Sequence, residues 1–301
     1  MFELHARISG PDQSPAELEP LRAAEALMHR MLDICAQEKD ASQADRAAHY
    51  HLECGGQRIR ARLALTSALA LGLRRPDAVA LAAASELIHN ASLVHDDIVD
   101  REEYRRGDKT VVAAYGPNIA ICTGDLLLSA SYAVLGDLSL SGRIPSLIRS
   151  VFRAASLTIH GQCSEFTPLA KSTDPWQDYA SIARAKSGAL LALPLELALI
   201  AAEQTVSIPT ARKCAESFAV AYQIFDDIHD LDKDRGDGVS PNCYNALLIL
   251  EAQGHAAGAL VLASRLAKDR LLETIELADA IPNQSGKLLA DLAKEMLGQI
   301  P

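Results

Sequence analysis

The sequence predicts an all-α fold, a bundle of long helices, on three observations. Ala- and Leu-rich stretches with a 3.6-residue apolar period run through most of the chain, separated by short Gly, Pro, Ser or Asp punctuation. No alternation of apolar and polar residues competes as a strand. Several helical stretches exceed about twenty residues and are apolar on most faces, as suits central helices surrounded by others.

After a loose start to about Ser14, helices are expected over 15–38 and 43–52. The Gly55-Gly56 pair separates these from a helix over 57–73, and Pro76 precedes the next, 77–101. A polar stretch from Arg101 to Pro117 interrupts the pattern, and helices resume over 117–138 and 142–168. Pro175 opens a helix over 175–203. Its greasy run, Ala189 to Ala202, is broken by Pro194 and Glu196, is too short to span a bilayer, and reads as core. Helices over 208–235, 242–253, 255–279 and 284–298 complete the chain. No linker divides it, so a single domain over 1–301 is expected, and 49% hydrophobic residues are enough for a large core.

The formal charge of -10 argues against a nucleic-acid surface, and no Lys/Arg run is long enough for one. Met1-Phe2-Glu3-Leu4-His5 shows no basic region followed by an apolar run, so no secretory signal, no stable membrane insertion and a cytoplasmic location are expected. Cys35, Cys54, Cys122, Cys163, Cys214 and Cys243 are scattered, without a Cys-x-x-Cys pair, as expected of small buried residues in a reducing compartment.

One acidic pattern occurs twice, as Asp96-Asp97-Ile98-Val99-Asp100 and as Asp226-Asp227-Ile228-His229-Asp230. Three carboxylates at i, i+1 and i+4 inside an apolar helix repel one another and resist desolvation unless cations share the site. Mg2+ holding a polyphosphate fits, because it takes oxygen ligands from a few carboxylates and from substrate phosphates. If the two helices face each other, six carboxylates converge. The plainer alternative is that each triplet caps or solvates a helix end.

Beyond the first motif lies a basic cluster, Arg105, Arg106, Gly107 and Lys109. Beyond the second lies a Gly-rich loop from Arg235 to Pro241. Both are placed where a lid over a charged substrate would be useful. Gly55-Gly56-Gln57-Arg58-Ile59-Arg60 opens a helix with small residues and two guanidiniums, which suits an anion or an ordinary surface. His89 stands seven residues before Asp96 on about the same stripe, a position that also suits a hydrogen-bonded core residue. Lys186, Gln223 and Gln162 interrupt apolar helices and need partners, which a shared diphosphate or local hydrogen bonds would supply.

Taken together and in order, these segments resemble the trans-isoprenyl diphosphate synthases, or polyprenyl synthetases, over nearly the whole chain from about Ala16. Gly55 to Arg60 is similar to the family's Gly-Gly-Lys-Arg-x-Arg segment, and Glu86 to Asp97 to its first aspartate-rich region. Arg105-Arg106-Gly107, Gly124-Asp125, Gly161-Gln162, Lys186-Ser187 and Tyr222-Gln223 follow as that family has them. The resemblance implies an isoprenoid synthase-type bundle of long helices around a central substrate cavity, as a homodimer. It implies that Asp96, Asp97, Asp100, Asp226, Asp227 and Asp230 bind Mg2+, about three ions per site, bridged to an allylic diphosphate. Arg105, Lys186, Ser187 and Gln223 would support that diphosphate, and Gly56, Gln57, Arg58, His89 and Arg106 would hold isopentenyl diphosphate. The implied activity is a prenyl transfer giving a longer all-trans prenyl diphosphate.

Three departures stand out. Gln57 replaces the family's usual Lys, Gly236-Asp237-Gly238-Val239 lacks its Gly-Lys pair near Lys233, and Tyr222 replaces Phe. Each lost cation weakens a diphosphate contact by about 1 to 3 kcal/mol. Ala91 and Ser92 occupy positions where bulky aromatic residues close the pocket early in this family. Their small size points to a geranylgeranyl product, with Ile88 one turn deeper as a floor. Two other readings compete: a class I terpene cyclase on the same fold, which would have no use for Arg58, His89 and Arg106, and a non-catalytic subunit of a heteromeric synthase, which could lose its carboxylates.

Overall fold

A computed structural model describes residues 15–36, 41–166, 173–236 and 245–301, and among these residues the fold is all-α apart from one short hairpin. The helices are α1 (Pro15–Ala36), α2 (Gln43–Glu53), α3 (Ile59–Ala70), α4 (Arg75–Asp100), α5 (Val111–Tyr115), α6 (Pro117–Ala133), α7 (Ile144–Glu165), α8 (Pro175–Ala183), α9 (Ala189–Ala201), α10 (Ile208–Gly236), α11 (Ala246–Leu250), α12 (Ala259–Asp279) and α13 (Lys287–Leu297). The hairpin pairs β1 (Tyr104–Arg105) with β2 (Asp108–Lys109).

The expected helices are present, with three local differences. The polar stretch after Arg101 forms the hairpin and α5 rather than an open loop. Arg106 and Gly107 both adopt positive φ, the signature of the two-residue turn that matches strand twist. Residues 175–203 do not make one helix: a π-helical turn, Arg184–Gly188, separates α8 from α9. A second π-helical turn, Glu251–His255, follows α11 and contains Gly254 at φ 93°. The side chain of Lys233 and the loop residues 237–239 lie outside the described residues.

Two compact units emerge, the first holding the described residues of 12–151 and 194–205, the second those of 152–193 and 206–301. In the first, α4 is the axis. It is 26 residues long, buries almost every side chain from Asp77 to Asp97, and packs against α1, α3 and α6. Leu63, Leu81, Leu87, Leu93 and Leu127 are fully buried there. The deeply buried Asp77 is held by the backbone and hydroxyl of Ser139 and by Arg74. Gly124 of α6 takes the His95 ring so closely that a Cβ there would lie 2.2 Å from Nε2, so small size lets α6 approach the end of α4.

In the second unit α10 packs along α12, and α12 against α13. Small side chains are buried on both helices, Ala211, Cys214 and Ala215 on α10 and Ala263, Ala267 and Ala278 on α12, and the Cys214 thiol donates to the Thr274 carbonyl at 3.3 Å. A Cβ on Gly161 of α7 would lie 2.6 Å from the backbone nitrogen of Lys186, so the π-helical turn rests directly on α7. By length and hydropathy, Pro117–Asp137 and Ala246–Asp279 could each span a bilayer. The first nonetheless contributes Leu127 to the core, and the second is broken at Gly254.

Candidate functional site

In the first unit the acidic motif occupies the last turns of α4. Asp96 is 4% exposed, Asp97 is fully buried and Asp100 is exposed. Asp97 is paired: Arg105 donates from Nε and Nη2 to its Oδ1 at 2.8 and 2.6 Å. The hairpin explains that geometry, since its turn swings Arg105 back onto α4 and sends the next residue, Arg106, to the Gly-Gly segment. There Arg106 donates to the Gly55 carbonyl. A Cβ on Gly56, which has φ 120°, would lie 2.5 Å from the Arg106 guanidinium carbon. Only glycine fits both the conformation and the contact.

Arg58 is turned inward. Its Nε donates to Glu25 at 3.0 Å, its Nη2 donates to the Leu52 carbonyl at 2.5 Å, and its Nη1 lies 3.7 Å from Glu86. Glu86 also accepts from the Ala61 amide. Arg58 therefore fastens α1 and the end of α2 to the start of α3, and in this arrangement its charge is met by carboxylates of the chain. Gln57 is half-buried.

His89 is 3% exposed, and its Nδ1 has no hydrogen-bond partner among the described residues. Burial pushes its pKa well below 6.5, and Arg60, Arg106, Arg105 and His51 push it further the same way. His51 is likewise buried and lowered to about 3, by burial first and then by Arg106, Arg105 and Arg58. Two imidazoles with lowered pKa beside Arg58, Arg60, Arg105 and Arg106 mark a guanidinium-rich interior in this unit. Ala91 is buried and Ser92 half-buried, the serine hydroxyl folding back onto the His89 carbonyl at 2.6 Å.

In the second unit Asp226 and Asp227 are each 5% exposed, whereas Asp230 is exposed. Asp227 is held from several sides. Gln223 donates its amide to Oδ1 at 2.8 Å, while the Tyr179 hydroxyl and the Ala246 amide both donate to Oδ2 at 2.7 Å. Burial and the adjacent Asp227 carboxylate push the Tyr179 pKa well above 10. Lys186, 4% exposed in the π-helical turn, pairs with Glu165 at 2.7 Å. Ser187 beside it is buried, with a hydroxyl that has no hydrogen-bond partner among the described residues. Such turns recur at functional sites because they aim a side chain off the helical register.

Several residues in these arrangements were not foreseen. Asn245 had a readable signal, an Asn directly before the apolar run Ala246 to Leu250, and it caps α11. His51, Glu25, Glu165 and Tyr179 had none, because each matters only through a partner distant in sequence.

The oxygen-only donors of both motifs suit a hard cation. Among the described residues no three His, Cys, Asp or Glu side chains cluster as a complete metal cage. Mg2+ takes one or two carboxylates and completes its shell with water and substrate phosphate.

Each unit thus carries a pair of adjacent buried aspartates on one long helix, Asp96-Asp97 on α4 and Asp226-Asp227 on α10, and the first also has a guanidinium-rich interior. Residues 41–238 match the family described as polyprenyl synthetase, and the chain belongs to that family of trans-isoprenyl diphosphate synthases. It is 30% identical over 210 residues to a geranylgeranyl pyrophosphate synthase of Geoglobus acetivorans, covering 68% of this chain and 65% of that protein. It is 32% identical over 174 residues to a (2E,6E)-farnesyl diphosphate synthase of Mycobacterium tuberculosis, covering 58% of this chain and 48% of that one. The matched segments thus span under two thirds of these curated relatives. In fold it is similar to a geranylgeranyl pyrophosphate synthetase of Pyrococcus horikoshii, at a TM-score of 0.77 and 26% identity, over 94% of this chain and 99% of that one.

Proposed function

We propose that the chain is a Mg2+-dependent trans-prenyltransferase, acting as one domain, that condenses isopentenyl diphosphate with an allylic diphosphate to give geranylgeranyl diphosphate. The observation that carries this reading is the guanidinium-rich interior of the first unit, where Arg60, Arg105 and Arg106 gather about His89, whose pKa burial first and these cations next push down, in the same unit as a complete acidic motif. A cyclase acting on a single diphosphate has no use for that second, cationic site.

Each unit offers acidic oxygens for Mg2+, Asp96, Asp97 and Asp100 in the first and Asp226 and Asp230 in the second. Bound Mg2+ would stabilise the charge that develops on the departing allylic diphosphate. Arg105 in the first unit and Lys186 in the second are each cationic hydrogen-bond donors suited to a diphosphate. Arg106, the Gly55-Gly56 turn and His89 hold isopentenyl diphosphate, with the His89 Nδ1 as an open hydrogen-bonding position. The allylic C–O bond breaks, the isopentenyl double bond attacks the resulting carbon, and a proton is lost to the released diphosphate, leaving a chain five carbons longer.

Purified protein incubated with Mg2+ and dimethylallyl, geranyl or farnesyl diphosphate, with and without isopentenyl diphosphate, tests the reading. Elongated prenyl diphosphate is expected. Hydrocarbon released without isopentenyl diphosphate would make the chain a cyclase, and no turnover would make it a partner subunit.

Two substitutions probe the finer assignments. Ala91 is buried on α4 five residues before the first Asp, so Ala91→Phe fills depth and shifts product from twenty carbons towards fifteen. An unchanged product by chromatography removes that ruler. Gln57→Lys restores a cation beside the arginine cluster and should lower KM for isopentenyl diphosphate about tenfold, the effect of one charge-assisted contact. An unchanged KM would show that Gln57 does not meet this substrate. We also propose a cytoplasmic homodimer. Exposed Ile148, Phe152 and Ile159 follow one another along α7, an apolar row that a second copy would cover.

A further inference from the structure

Within the second acidic motif the buried Asp227 is held by several donors. A carboxylate offers about four acceptor sites. Asp227 has three of them filled by buried donors from separate elements: Tyr179 Oη from α8, Gln223 Nε2 from one turn earlier on α10, and the Ala246 amide that begins α11. Asn245 reinforces the join. Its Nδ2 donates to the Asp227 carbonyl at 3.1 Å while its Oδ1 accepts from the Leu247 amide at 2.9 Å. One side chain thus caps α11 and ties it to the backbone of the motif. Tyr179 is 2% exposed and its ring stacks on Trp176, with centroids 5.4 Å apart. Its hydroxyl is spent on Asp227.

We infer that Asp227 serves as a strut joining α8, α10 and α11, and that Tyr179 and Asn245 are positioning residues that hold the second acidic motif through it, leaving cation binding in this motif to Asp226 and Asp230. The inference rests on the prenyltransferase reading for its catalytic consequence, though not for the strut itself. Charge-assisted hydrogen bonds of this kind are worth about 1.5–3 kcal/mol each. Losing one therefore weakens whatever it organises by about 10- to 100-fold.

The test uses the full chain carrying Tyr179→Phe, Asn245→Ala, Asp226→Asn or Asp227→Asn. Three readouts are taken: amide hydrogen exchange over Ala246–Leu250, calorimetric binding of Mg2+ with inorganic pyrophosphate, and steady-state kinetics. Tyr179→Phe keeps the ring and removes one hydroxyl. It should speed exchange in α11 and weaken Mg2+-pyrophosphate binding, each by about tenfold or more, while KM for isopentenyl diphosphate stays within about twofold. Asp226→Asn should abolish Mg2+-pyrophosphate binding with α11 protection intact, whereas Asp227→Asn should loosen α11. If Asp227→Asn abolished Mg2+-pyrophosphate binding and left α11 protected, Asp227 would be a ligand and the strut would be overturned. Unchanged exchange and binding in Tyr179→Phe would reduce that residue to packing and overturn its role. If Tyr179→Phe fails to fold, Gln223→Met, which removes the Oδ1 donor, carries the same comparison. Should the wild-type chain not elongate prenyl diphosphates, the functional reading falls, and exchange at α11 still decides the strut.

Discussion

Asp96→Asn is expected to lower kcat by about 10²- to 10³-fold, the loss typical when one preorganised electrostatic element of a transition state is removed. The side chain is 4% exposed near the end of α4 and stands beside Asp97, whose charge is already met by Arg105. Asn preserves its shape and removes one of two neighbouring negative charges. Folding stability should therefore hold or rise slightly, because the repulsion between adjacent carboxylates disappears. Steady-state kinetics with saturating substrates, paired with thermal unfolding, separates the two effects. A kcat within tenfold of wild type would move the metal chemistry away from this carboxylate. A large fall in melting temperature would show that Asp96 is structural.

The division between what the sequence disclosed and what it withheld follows the range of the interactions. The run from Arg75 to Asp100 reads as one helix because its apolar residues recur through 26 positions. The π-helical turn at Arg184–Gly188 was not legible, since one extra residue in a helical turn leaves the composition unchanged. The hairpin was missed because its strands are two residues each, too short for alternation, although Arg106-Gly107 was a recognisable turn.

At the site, local order made the acidic motifs visible, but the fate of each carboxylate depended on distant partners. Asp227 meets a tyrosine 48 residues away, and Arg58 meets Glu25 33 residues away. No spacing rule links such pairs. Arg58 shows the limit most clearly: a guanidinium beside two glycines reads as a phosphate ligand, and nothing in the local sequence points to its contacts with Glu25, Glu86 and the Leu52 carbonyl. Gln223, expected against a diphosphate, likewise directs its amide to Asp227.

Arg105→Ala should be the most destabilising single change near the site, by about 3 to 5 kcal/mol, the usual cost of stripping a buried charge of its partner. The pair is asymmetric, the Arg105 side chain being 17% exposed and that of Asp97 1%. Removing the arginine leaves a carboxylate with almost no access to water. Removing the charge of Asp97 leaves a guanidinium that water can reach. Asp97→Asn should therefore cost less than Arg105→Ala, and the double variant should cost less than the sum, since it strands no charge. For a chain this long, a melting temperature lowered by about 10 °C in Arg105→Ala is the corresponding observation. Kinetics measured well below that temperature then isolate the second task proposed for the same guanidinium, support of the allylic diphosphate. If kcat/KM recovers in Arg105→Lys while stability does not, the diphosphate needs only a positive charge there, whereas Asp97 needs the two-pronged contact that Nε and Nη2 make with its Oδ1. If neither recovers, one bidentate guanidinium both holds the end of α4 and meets the substrate, and the hairpin turn at Arg106-Gly107 is what places it.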